Sequence, residues 1–232
     1  MDEPSDGQLL AQWGKGDSSA FAALVAHHER ALLRHARALL GDWRSGEDAV
    51  QETFLRLAQR PPTLDADVQG DPRAESAVLA SWLHQVLRNL CMDTKRSEIR
   101  RKRREQEAAP HEATAGEVDT VEAADTKAAV ERGLLKLPVD QREVLVLRLF
   151  DEKSYAEIAT ITGRKVGTVG WLISVGMKAL AEELAPLASA MGAGGIVAGG
   201  MAPGGMTEER NGGTRGVAAV IQPLQSLQGG VS

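Results

Sequence analysis

Residues 154–180 read SYAEIATITGRKVGTVGWLISVGMKAL. Two helical patterns, Ser154 to Thr162 and Val166 to about Leu184, meet at Gly163, a residue type that takes left-handed turn geometry without steric cost. Helix, glycine turn and helix is the pattern of a helix-turn-helix, although an ordinary helical hairpin has the same spacing. Upstream, Val121 to Leu137 has helical periodicity. Pro138 breaks it, and Pro138 to Phe150 reads as a second helix carrying Val144, Leu145, Leu147 and Leu149. Residues 121–184 thus read as one small helical domain. Before it, residues 108–120 turn to Ala, Glu, Thr and Gly without apolar periodicity, as a flexible acidic linker does.

The N-terminal half is helical in pattern as well. Asp6 is placed to cap a short helix through Lys15, and Asp17 or Ser18 a longer one to about Leu40, ended by Gly41. Ser45 is expected to cap a third helix to about Gln59, with Val50, Phe54 and Leu57 as one apolar stripe, stopped by Pro61 and Pro62. The stretch PPTLDADVQGDPRAES carries further turn signals at Gly70 and Pro72 and reads as a loop. A fourth helix is expected from near Ala77, with Leu79, Leu83, Val86, Leu87 and Leu90 inward. Aromatic residues are only 3% of the 232, and Ala, Leu, Glu and Arg abound, which favours helices over strands. The expected fold is all-α. Two small helical domains, 1–107 and 121–184, are joined by the linker and followed by a Gly-rich, flexible tail at 185–232.

Charge is unevenly distributed. Net charge is −5, yet Lys95 to Arg104 holds seven cations and one anion, and Glu105 to Glu131 holds eight anions and one cation. On the third helix Asp48, Gln51 and Glu52 lie at i, i+3 and i+4, sharing a face opposite the apolar stripe. On the fourth, Asn89, Asp93 and Arg96 line one polar face at i, i+4 and i+7. An asparagine there can hydrogen-bond a base edge, and Arg88, Lys95, Arg96 and the later arginines can neutralise phosphates.

These motifs, GDWRSGEDAVQETFLRLAQ, SWLHQVLRNLCMDTKR and LLKLPVDQREVLVLRLFDEKSYAEIATITGRKVGTV in that order, closely resemble an extracytoplasmic-function sigma factor of bacterial RNA polymerase over residues 5–184. The resemblance implies a non-enzymatic role in promoter recognition and DNA melting. It places Asp48, Gln51 and Glu52 at the family's positions that dock on the clamp of core RNA polymerase. Trp82 and Leu83 match the pair anchoring the promoter-melting helix, and Asn89 matches the base-reading asparagine for the minus-ten element. Arg88, Asp93, Lys95, Arg96, Arg100 and Arg101 are carried over with that helix. The segment Asp71 to Ser81 corresponds to a loop that captures a flipped base. An extruded base needs a pocket and the displaced backbone a cationic track, which the block from Lys95 to Arg104 would supply. The acidic linker is implied to thread near the polymerase active site. In the helix-turn-helix, Tyr155, Ile158, Ala159 and Val169 read as core, and Arg164, Lys165, Thr168 and Lys178 as the residues available to minus-thirty-five promoter DNA.

The chain also departs from the family. After GTV the family carries a basic run, whereas this chain reads GWLISVGMKAL, with Lys178 alone. Fewer phosphate contacts weaken duplex affinity and flatten its salt dependence. Trp171, Leu172 and Ile173 can instead face a protein, such as an anti-sigma factor, an activator or the polymerase flap, or pack on the preceding helix. The glycine-dense tail is the second departure. No charge occurs between Leu184 and Thr207, but Gly, Ala and Pro203 make the segment too weakly apolar for a bilayer span, so membrane contact through the tail is not expected.

Other classes fit less. His27, His28 and Glu29 are consecutive and point about 100° apart on a helix, unlike a chelating i, i+4 pair. No phosphate-binding glycine loop or nucleophile elbow occurs, so no cofactor, metal or small-molecule substrate is expected. Cys91 is the single cysteine, which excludes an intramolecular disulfide and fits a reducing cytoplasm, and its place beside an apolar face suits a buried residue. A stand-alone helix-turn-helix regulator leaves the acidic face and melting helix without a role. A sigma-like adaptor with weakened minus-thirty-five binding remains the alternative.

Overall fold

A computed structural model describes residues 4–108 and 126–190, with side chains over 4–105 and 129–185. The expected linker lies outside the described residues beyond Ala108, and the expected tail beyond Ala190. All secondary structure among the described residues is helical, in eight segments. They form two compact units, residues 4–108 with 153–165 and residues 126–152 with 166–190.

In the first unit α1 (Asp6–Gly14), α3 (Trp43–Gln59) and α4 (Pro72–Ala108) pack on α2 (Ser18–Leu40). Leu24, Leu32 and Leu39 of α2, Val50 and Leu57 of α3, and Leu79, Leu83 and Leu87 of α4 are at most 3% exposed. Each such side chain contributes about 1.5–3 kcal/mol of apolar burial. Val86 and Leu90 are only half-buried, at the margins of the α4 stripe. Cys91 is buried on that helix, as expected.

Helix starts differ from the sequence expectation in three places. Ser5, not Asp6, caps α1 in a reciprocal box with Gln8. Asp42, not Ser45, caps α3, and its carboxylate accepts from the Ser45 amide at 2.8 Å. The third difference matters most, because residues 72–81 are helix rather than loop. Pro72 is the first residue of α4, where its missing N–H and fixed φ cost nothing, and the Asp71 carboxylate accepts from the amides of Arg73 and Ala74. The helix ends of α2 fall as expected, at Asp17 and at Gly41 with φ of 84°.

Polar groups stitch this unit. Glu75, in the first turn of α4, accepts from Ser5 Oγ at 2.6 Å, the Gly7 amide at 3.3 Å and the Gly70 amide at 2.8 Å. The hydrogen bond from Ser5, then that from Gly70, lower its carboxyl pKa. Asp6 is buried and receives both His27 Nδ1 at 3.1 Å and His28 Nε2 at 2.9 Å. Two consecutive histidines thus converge on one carboxylate, which the 100° rotation between them disfavoured. Asp6 spans both with separate oxygens. Burial alone would raise the Asp6 carboxyl, but the hydrogen bond and charge of His28, with bonds from His27 and Ser76, outweigh it and hold it below the ordinary carboxylate range. Deeper in, His35 Nδ1 and His84 Nδ1 lie 2.9 Å apart. α7 (Tyr155–Thr162) belongs by packing to this unit, against α4, and buries Ile158, Ile161 and Thr162.

In the second unit α5 (Thr126–Lys136) and α6 (Val139–Leu149) pack on α8 (Val166–Ala190). The approach is close where glycine allows it. A Cβ at Gly176 would lie 3.1 Å from Leu145, and one at Gly133 the same distance from Leu180. Pro138 precedes α6 as expected, Val144, Leu145 and Leu147 are buried, and Leu149 is half-buried. α8 runs six residues beyond the expected end at Leu184.

Candidate functional site

The α3 surface forms because its apolar residues are confined to one stripe. With Val50, Phe54 and Leu57 turned into the core, Asp48 and Gln51 are exposed and Glu52 is half-exposed. Glu52 accepts from Arg56 Nε at 3.0 Å, an exposed i, i+4 pair of small energetic weight. The same face continues to Leu55, which is 55% exposed. Sequence reasoning passed over Leu55, yet its spacing of i+3 from Glu52 and i+7 from Asp48 places it beside them.

The second surface is one side of α4. Because α4 is unbroken, residues seven apart stay nearly in register, so Trp82, Asn89 and Arg96 share a stripe extended by Asp93 and Arg100. Trp82 is half-buried at its foot, beside the fully buried Leu83, and Asn89 is exposed. Asp93 and Arg96 form an exposed ion pair at 2.8 Å. Arg88 and Lys95 are half-buried, while Arg96 and every residue from Ile99 to Glu105 are exposed. From Trp82 to Arg103 the stripe is about 32 Å long at 1.5 Å per residue. Asp71 to Ser81 provides no loop beside it, since the connection between α3 and α4 ends at Asp71. That segment cannot capture a base as a loop.

The third surface is the turn and helix from Gly163 onward. Gly163 takes φ of 67° and closes α7, whose Ser154 cap forms a reciprocal box with Glu157. Lys165, Thr168 and Lys178 are exposed and Arg164 is half-buried. Leu172 and Ile173 are buried at 5% and 7%, so they pack within the unit, but Trp171 is 61% exposed. Tyr155 is a correction to the expected core. As the first residue of α7 it lies off the face of Ile158 and Ile161, and it is 41% exposed. Ile158 and Val169 are fully buried and Ala159 is half-buried.

Among the described residues no group of three His, Cys, Asp or Glu is arranged to hold a metal ion. None of the described helices is long and apolar enough to cross a membrane.

Comparison with known proteins bears on these surfaces together. Residues 24–105 match Sigma-70 region 2 and residues 127–180 match Sigma-70 region 4. The ECF RNA polymerase sigma factor SigM of Mycobacterium tuberculosis (strain ATCC 25618 / H37Rv) is 32% identical over 167 residues, covering 72% of this chain and 78% of SigM. This chain belongs to the ECF sigma factors. The ECF sigma factor SigW of Bacillus subtilis (strain 168) is 29% identical over 188 residues, covering 77% of this sigma factor and 96% of SigW. Among solved structures, CnrH in complex with the cytosolic domain of CnrY aligns with a TM-score of 0.52 at 25% identity, covering 79% of this chain and 99% of CnrH. RpoE in complex with the anti-sigma factor NepR, from Bartonella quintana, has the same helical fold, with a TM-score of 0.54 at 24% identity over 71% of this sigma factor and 96% of RpoE.

Proposed function

We propose that this sigma factor docks on the clamp of core RNA polymerase through the α3 face of Asp48, Gln51 and Glu52, and opens promoter DNA along the α4 stripe. The observation that carries the reading is the unbroken α4, whose side runs from Trp82 through Asn89 to the exposed arginines. An aromatic edge, an exposed amide and a cationic end in that order suit a separated strand. The ring offers a stacking surface, the amide hydrogen-bonds an unpaired base edge, and the cations follow the phosphates. Trp82, Asn89, Asp93 and Arg96 meet the minus-ten region, with Arg88, Lys95, Arg100 and Arg101 along the backbone. Arg164, Lys165, Thr168 and Lys178 are the residues offered to the minus-thirty-five duplex, where so few cations make a weak contact. Because RpoE is described in complex with the anti-sigma factor NepR, a protein regulator of the anti-sigma kind is proposed here too.

The test is co-elution with core polymerase. The Asp48→Ala/Gln51→Ala/Glu52→Ala variant should lose binding by about a hundredfold or more, as clustered interface residues do, with an unchanged helical circular dichroism spectrum. Unchanged affinity would remove α3 from the interface.

A further inference from the structure

Leu172 and Ile173 are buried at 5% and 7%, so the core of the second unit closes without their neighbour Trp171, which is 61% exposed. Thr168, three residues earlier, is exposed, and Val175, four residues later, is half-buried. At that spacing the three share one stripe of α8. Side chains on a helix lean toward its N-terminus, which carries the indole toward the turn of Gly167 and Thr168. A Cβ at Gly167 would meet nothing within 4 Å, so the surface on that side is open.

The charges that bracket this stripe have one sign. From Val166 to Met177 α8 carries no charged residue, and the nearest on either side are Lys165 and Lys178, both exposed. They are thirteen residues apart, about 20 Å at the helical rise. The major groove of a duplex is about 12 Å wide, with phosphates along both walls and uncharged base edges on its floor. A face with a cation at each end, an aromatic ring between them and no carboxylate complements that surface.

On the floor of the groove thymine alone offers a methyl group. Its C5-methyl stands beside the O4 acceptor, whereas the edges of adenine, guanine and cytosine present nitrogen and oxygen. Indole has the complementary pair, an apolar body and one N–H donor. Thr168 adds a methyl and a hydroxyl to the same stripe. Paired bases are stacked on one another, so a ring in the groove meets their edges and not their faces, unlike Trp82 beside a separated strand.

We infer that Trp171, flanked by Thr168 and Val175, is the specificity-determining residue of α8 and selects thymine methyl groups in the minus-thirty-five duplex. The inference rests on the reading that α8 faces this duplex, and it names what the helix recognises there. Apolar contact then takes the place of the basic run that α8 lacks. Such a contact releases no counterions, so the selectivity it confers is independent of salt.

The experiment uses the full chain without polymerase. Duplexes are selected from a randomised pool at low salt, and the selected duplex is remade with deoxyuridine in place of each thymine in turn. The replacement removes one methyl group and leaves pairing, phosphates and the O4 acceptor unchanged. The expected result is affinity lower by about three- to fivefold at one or two thymines, the scale of one buried methyl, and to the same extent as salt is raised. Trp171→Ala should bind both duplexes alike, and Trp171→Phe should keep part of the difference because the smaller ring retains apolar surface. Deoxyuridine bound as tightly as thymine at every position by the unaltered chain would overturn the inference and leave duplex binding by α8 standing. A difference that Trp171→Ala retains would overturn it too, by placing the methyl contact elsewhere. Selection of no sequence, with Lys165→Gln/Lys178→Gln binding duplex as the unaltered chain does, would overturn the underlying reading as well and assign Trp171 to a protein partner.

Discussion

From Lys95 to Arg104 the surface of α4 has seven cations in ten residues, whereas from Val166 to Met177 α8 has none in twelve. On the proposed function both helices face promoter DNA, and their chemistry would divide the work. α4 would combine long-range attraction to phosphates with groups able to pair with exposed bases. α8 lacks the long-range component, so any contribution it makes to promoter choice would rest on shape and short-range contact. One fold can thus carry two such helices without obliging both to bind with similar strength. On this reading, free energy for promoter capture is concentrated where the duplex is opened.

The largest expected effect removes the α4 side of this contrast. Replacing Arg100, Arg101, Arg103 and Arg104 by Gln should lower promoter affinity of the holoenzyme on the order of a hundredfold. It should also reduce the salt slope by roughly three, at about 0.7 per lost single-strand phosphate contact. A salt slope that does not change would show that the block never reaches nucleic acid. Next, Asn89→Ala should slow promoter opening by about tenfold or more, the scale of one base-edge contact, while closed-complex formation is spared. Permanganate reactivity of unpaired thymines measures the first and filter binding the second. Equal losses in both would reassign Asn89 from base reading to general binding.

Acidification separates the two units rather than the two helices. Burial, then the proximity of His35, Lys153, His28 and Arg34, drives the His84 pKa well below its ordinary 6.5. A histidine whose pKa falls on folding takes up its proton more readily in the unfolded chain. Stability of the first unit is therefore full above about pH 6.5 and falls below it, by up to about 1.4 kcal/mol for each pH unit until the folded pKa is reached. In the second unit burial lowers the pKa of the Arg142 guanidinium, which nevertheless stays charged throughout this range. The protection factor against amide exchange, in which the pH dependence of the intrinsic rate is divided out, should thus fall at pH 5.5 in α2 and α4 and hold steady in α6. A uniform fall would contradict the assignment. The smallest effect rebuilds α8. Gly170→Lys with Val175→Lys should tighten duplex binding a few-fold and steepen its salt slope by about two, and no change would mean that this face is turned from DNA.

Much of this could be read from residues alone, because helix periodicity survives any later packing. The stripe of Val50, Phe54 and Leu57 turned inward as its spacing demanded, and Gly163 closed α7. Errors arose where one residue type serves two purposes. Pro72 reads as a breaker in a segment already rich in turn residues, but at the first position of a helix it is compatible, and only the Asp71 carboxylate beneath it reveals which case holds. Asp6 is as good a cap in sequence as Ser5, and the difference lies in His27 and His28, about twenty residues away. His35 and His84 carry no local signal at all, since each meets the other from a different helix, and Glu75 has only Gly70 nearby, its partners Ser5 and Gly7 lying about seventy residues away. The exposed surfaces followed a similar rule. Asp48, Gln51 and Asn89 were legible because exposure is the complement of a periodic core. Tyr155 was not, because a helix's first turn can leave the stripe it begins.

The Glu75 clasp has a consequence for the order in which the chain matures. Its partners Ser5 and Gly7 are separated from it by about seventy residues. At synthesis rates of roughly 5–20 residues per second, the amino-terminal helix leaves the ribosome several seconds before its anchoring carboxylate exists. During that interval α1 has only α2 to lie against, and the connection between α3 and α4 is not yet tied at Gly70. One side chain then closes both ends together. The clasp therefore forms after α3 has been translated and before α7, which completes this unit, has emerged.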